Sequence, residues 1–128
     1  MQNNSQLLAN ALAHHQVGRL AEARALYGQI LQTEPGNPDA LHFLGLLACQ
    51  LGQHDAGLGL MEKSIAAHPN AIYYNNIGNM LGQKGRLAEA IEAYRRAVAL
   101  KPDYAEAHNN LGNALREAKQ PEAAIESC

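Results

Sequence analysis

Apolar positions in this chain recur at helical spacing, in pairs of short segments. The clearest pair occupies residues 71–104, AIYYNNIGNMLGQKGRLAEAIEAYRRAVALKPDY. Tyr74, Ile77 and Gly78 share one helical face at i, i+3 and i+4, with Leu81 a turn further on. Gly85 interrupts the pattern, because glycine takes the left-handed conformation that ends a helix at little cost. A second stripe follows at Leu87, Ala90, Ile91, Tyr94, Ala97 and Val98. Pro102 closes it, since proline lacks an N–H and restricts the residue before it.

The unit recurs along the chain. Gly18, Gly52, Gly85 and Lys119 take the turn position at spacings of 34, 33 and 34. Ala23, Gly57, Ala90 and Ala124 hold one position of the second helix, and Tyr27, Met61, Tyr94 and Cys128 another four residues later. Pro35, Pro69 and Pro102 close three units, and the one missing residue belongs to the loop at Pro69 and Asn70. The repeats divide residues 4–128 into 4–37, 38–70, 71–104 and a partial 105–128, one array without a linker. Ser5 is the expected N-cap of the first helix, and Pro38 suits the first position of the third. In the last unit a helix is expected from Asp103 or Tyr104 to Ala118, and another opening at Pro121. Gly57 should loosen the fourth helix by roughly 1 kcal/mol relative to alanine.

Period, paired helices and the order Leu/Ile-Gly, Ala-x3-Tyr, Pro together resemble the tetratricopeptide repeat. Leu44-Gly45, Ile77-Gly78 and Leu111-Gly112 match its Leu-Gly step, and Asn10-Ala11 is a looser copy. The early aromatic of the first helix survives only as Tyr74, with Leu7, Leu41 and His108 elsewhere. The resemblance implies an all-α fold, a right-handed α-solenoid of antiparallel helix pairs whose first helices line a concave groove. It also implies a scaffold for protein partners rather than an enzyme.

Composition adds exclusions. The 128 residues carry a net charge of −2, too weak a field to mark a polyanion-binding surface. Arg86, Arg95, Arg96 and Lys101 alternate with Glu89 and Glu92 on an outer helix, which predicts i,i+3 and i,i+4 pairs and no nucleic-acid partner. No apolar run approaches the ~20 residues needed to span a bilayer, so no membrane partner is expected. MQNNSQLLAN lacks the basic and apolar regions of a secretory signal. Phosphate loops, zinc-protease motifs, Cys-x-x-Cys and nucleophile elbows are all missing, so no catalytic residue, metal or cofactor is expected. His15, His42 and Cys49 are the one grouping that could share a groove, and ordinary packing accounts for them. Cys49 and Cys128 sit in different repeats and read as reduced, packed thiols, consistent with a cytoplasmic location.

The informative motif is Asn-Asn-x-Gly-Asn, at Asn75, Asn76 and Asn79 and again at Asn109, Asn110 and Asn113. Six asparagines inside two first helices oppose local propensity, and such violations collect at functional sites. An amide carries a donor and an acceptor, matching a peptide group. These residues are therefore the expected peptide-binding set, the alternative being ties between neighbouring helices. Repeats with asparagine at this step look like the superhelical part of O-linked N-acetylglucosamine transferases and similar bacterial proteins, where such a ladder holds substrate backbones. That resemblance carries over to Asn76 and Asn110 alone, because the first two repeats hold Ala9 and Phe43 there. In that half Leu8, Leu12, His42, Phe43 and Leu46 form an expected apolar groove, the mark of a partner contact. The chain closes on Ile125-Glu126-Ser127-Cys128 without a polar capping helix, which predicts either a longer protein or self-association through that edge.

Overall fold

The computed structural model describes the backbone of residues 3–127 and the side chains of residues 3–119. Seven helices follow one another: α1 Asn4–Gln16, α2 Leu20–Thr33, α3 Pro38–Gln50, α4 His54–Ala67, α5 Ala71–Gln83, α6 Leu87–Leu100 and α7 Ala105–Ser127. No strand occurs among the described residues. The chain divides into two compact units, Met1–Pro69 and Asn70–Cys128, at the loop where one residue of the repeat is missing. Within each unit helical hairpins pack side by side, the all-α solenoid arrangement that the repeat predicts.

Helix starts and turns follow two recipes. The leading helices α1, α3 and α5 are capped by asparagine: Asn3 accepts from the Gln6 N–H, Asn37 from Ala40, and Asn70 from Ile72 and Tyr73. Asn3 thus takes the role expected of Ser5, which lies inside α1, and the Gln6 side chain answers it in a capping box. The following helices α2, α4 and α6 have no side-chain cap. They are set by Gly18, Gly52 and Gly85, whose φ values are +83°, +86° and +77°. Each turn closes with a six-residue backbone bond, Arg19 to His14, Gln53 to Ala48 and Arg86 to Leu81, at 2.8–2.9 Å.

Where the turn glycine is lacking, the turn is lacking too. The expected break between Ala118 and Pro121 does not form, and α7 runs unbroken for 23 residues. Lys119 stands at the glycine position, and a β-carbon in the left-handed region costs roughly 1–2 kcal/mol. The expectations for the fourth hairpin's side chains, Ala124 and Cys128 among them, lie outside the described residues.

Unit one is built on Ala11, Ala23, Tyr27 and Leu47, with a second cluster of Leu7, Ile30 and Ala40. Gly57, expected to loosen α4, also admits the backbone of α3. A β-carbon there would lie 2.5 Å from the Gly45 carbonyl oxygen and from Cys49 Sγ, and one on Gly45 would meet the Gly57 oxygen at 2.6 Å. Two bare backbones face each other, so α3 and α4 approach closely, and packing offsets the propensity cost. Buried Ser64 adds a tie by donating to the Pro38 carbonyl at 2.7 Å. In unit two Ile77, Leu81, Ala90, Ala93, Tyr94, Ala97, Ala107 and Ala114 are buried. Tyr73 is buried as well, while Tyr74, expected on that face, is half-buried. On the solvated face of α6, Arg86 pairs with Glu89 and Arg96 with Glu92.

Candidate functional site

The asparagine motif builds a network joining α5, α6 and α7. Asn110 on α7 donates to Asn75 Oδ1 at 3.0 Å and to Asn79 Oδ1 at 3.4 Å. Tyr94 on α6 donates its hydroxyl to the same Asn79 oxygen at 2.6 Å. Asn75 reaches the Tyr104 hydroxyl with its amide nitrogen at 3.5 Å. Burial of Tyr94, with Glu117 and Glu106 adding to it, pushes its phenol pKa up, so the O–H is kept as a donor. Gly78 makes room for the ring: a β-carbon there would sit 2.5 Å from it.

This geometry sorts the six asparagines. Asn75 is only 1% exposed, so it does not line an open wall; it is a buried tie between helices. Asn79 and Asn110 are half-buried members of the same network, and Asn76 is half-buried beside them on α5. Asn109 and Asn113 are exposed on α7, where Asn113 accepts from Arg116. Tyr94 was missed as a polar partner. The signal was its phenol at a buried repeat position, because a buried O–H needs an acceptor.

Unit one places different chemistry at the corresponding positions. An open cleft of about 340 Å³ is lined by Leu12, His15, Gln16, Phe43, Leu46 and Gln50. Three members of the expected apolar groove thus line it, and Leu8 packs into the core instead. His42 is fully buried, edge-on to Phe43 with ring centres 5.1 Å apart. It cannot offer a face to a partner, because α3 turns it inward. Burial lowers its pKa to about 4, against a smaller opposing pull from Asp39. His15 bridges the hairpins, one ring nitrogen 2.8 Å from the Tyr27 hydroxyl and the other 2.6 Å from Gln50 Oε1. Phe43 stacks on Tyr27 at 6.4 Å. Burial raises the Tyr27 phenol to about 12 and also raises the Cys49 thiol, which keeps both neutral. No three His, Cys, Asp or Glu side chains converge on a metal-sized site among the described residues. No described helix is long and apolar enough to cross a membrane.

Tetratricopeptide repeat profiles match residues 14–77 and 78–119. The chain belongs to the tetratricopeptide repeat family. It is 32% identical over 102 residues to the human protein O-mannosyl-transferase TMTC1, an overlap of 75% of this chain and 12% of that protein. It is 34% identical over 76 residues to the peroxisomal targeting signal receptor of Candida glabrata, covering 59% of this chain and 13% of the receptor. Among solved structures, an O-GlcNAc transferase mutant of Thermobaculum terrenum superposes with a TM-score of 0.81 at 31% identity, over 90% of this chain and 23% of that one. The chain therefore spans about an eighth of these two curated relatives. Tetratricopeptide repeats are a scaffold for protein–protein interaction.

Proposed function

We propose that this chain holds an extended peptide segment of a protein partner along the leading helices of its repeats, in the cytoplasm and without chemistry of its own. The observation that carries the proposal is the amide set on α5 and α7. Asparagines stand mid-helix at a cost in propensity, and their network commits only part of their hydrogen-bonding capacity. Similarity to a targeting-signal receptor supports a peptide ligand. The cleft at Leu12, Phe43 and Leu46 in unit one would hold an apolar side chain of a protein partner, with Gln16 and Gln50 at its rim.

Replacing Asn76 and Asn110 together would confuse binding with stability, because Asn110 ties α7 to α5. Asn76→Ala is the test, with its melting midpoint read beside its affinity and exposed Arg95→Ala on α6 as the control. Titration against an array of neutral twelve-residue peptides should show Asn76→Ala weakened about fivefold, the worth of one hydrogen bond near 1 kcal/mol. Equal affinity in wild type and Asn76→Ala across the array would refute the role of this amide.

A second reading is favoured by glycosyltransferases among the similar proteins, such as TMTC1 and the O-GlcNAc transferase, of which this chain spans 12% and 23%. In it the repeats present a substrate to a catalytic domain elsewhere in a longer protein. Sequencing the reading frame past Cys128 for a sugar-nucleotide-binding domain separates the two.

A further inference from the structure

We infer that the chain binds a second copy of itself, Leu100 at the end of α6 on one copy entering a pocket between α2, α3 and α4 on the other, with Asp103 paired to Arg24. The contact uses neither the cleft at Phe43 nor the end of α7. The pocket, about 140 Å³, is lined by aliphatic side chains, Leu44, Leu47, Leu51 and Leu60 among them, with Arg24 as the one charge. A cavity of that size takes a single aliphatic or small aromatic group. Leu51 is 48% exposed, so the pocket stands open to a side chain arriving from outside.

The two halves of the contact depart from the repeat in opposite senses. Arg24 stands where the next units hold buried Leu58 and half-buried Ile91. Leu100 stands where the earlier units hold Thr33 and Ala67, and it is 51% exposed. A charge at an apolar position and a large apolar residue at a small or polar one both break the local pattern, and such breaks collect at functional sites. Neither Arg24 nor Asp103 has an ion-pair partner among the described residues. The Lys101 ammonium stands over the Tyr104 ring, 5.3 Å from its centre, which leaves Asp103 as the unengaged charge nearest Leu100 in the chain. The other exposed apolar residues of the helix ends fit less well. Val17 is followed by Arg19, which would repel Arg24, and Ile72 has no acid near it in the chain.

One side chain and one ion pair make a small, transient contact, with a dissociation constant on the order of 10⁻⁴ M. Sedimentation equilibrium from about 10 μM to about 1 mM should therefore show the mean mass rising with concentration. Leu100→Asp should abolish the rise. Arg24→Asp and Asp103→Arg should each weaken association about tenfold by setting like charges together. The two combined should restore it, because the pair re-forms with its signs exchanged. All three residues are exposed, so the melting curves of the variants should overlay the wild type. Should Leu100→Asp unfold, the charge exchange carries the test by itself. The mass of one chain at every concentration would overturn the inference. So would association that survives Leu100→Asp, or a double variant that associates no better than the single ones.

Discussion

Units one and two share a hairpin plan and solve the same packing problem with different atoms. In unit two a glycine on the leading helix faces a tyrosine, Gly78 under Tyr94, and the phenol continues into an amide network reaching α7. In unit one the hairpin α3–α4 replaces the tyrosine by Met61 and the alanine opposite by Gly57, so two backbones touch and no hydroxyl is left to satisfy. Its other hairpin retains Tyr27, which turns to His15 rather than to an amide. The lesson is that a repeat position specifies volume and direction, while the polar partner is negotiated locally.

Acid should break the comparison most sharply. His42 is neutral in the fold with a pKa of about 4, while an unfolded histidine titrates near 6.5. Between those values the unfolded chain binds more protons, so unit-one stability is complete above about pH 6.5 and falls as the pH drops toward 4. The loss is on the order of 3 kcal/mol. Hydrogen exchange resolved by unit should show α3 and its neighbours opening first, with unit two lagging; simultaneous opening of both units would count against it. His42→Gln should remove the effect.

Next in size is Asn110→Ala. It leaves the oxygens of Asn75 and Asn79 short of a donor, one of them buried, and should cost about 2 kcal/mol. Denaturant melts would register it as a lower midpoint confined to unit two. The equivalent Phe43→Ala in unit one should lose ring packing against Tyr27 and His42.

Smallest is Gly57→Ala. The helix gains about 1 kcal/mol in propensity, and overpacking against Gly45 and Cys49 costs roughly 1–3 kcal/mol. A net destabilisation of about 1 kcal/mol is expected by chemical denaturation. Stabilisation would show that α3 and α4 can separate freely, and would restore the view that Gly57 is merely a weak helix former.

Much of the fold was legible in the chain. The turn glycines at 18, 52 and 85, the closing prolines and the apolar periods predict six helices and their boundaries, because those features act within a few residues of backbone. Lys119 is also visible as the exception, and its consequence, a turn that does not form, overrides the period of the repeat. The candidate site was legible as a set of residues and not as an arrangement. Asparagine 75 and asparagine 79 are one turn apart on the same helix, but burial separates them.

What local spacing dictates here is where helices start, stop and pair, since caps, left-handed glycines and i,i+4 contacts are all short-range. Which way an amide faces, whether a glycine weakens a helix or admits its neighbour, and whether a histidine looks out or in depend on atoms brought from other helices. Asn110 reaches Asn75 across 35 positions of sequence, and Gly57 meets Gly45 only once the hairpin has closed. Those partners exist for each other only after packing, so their roles emerge with it.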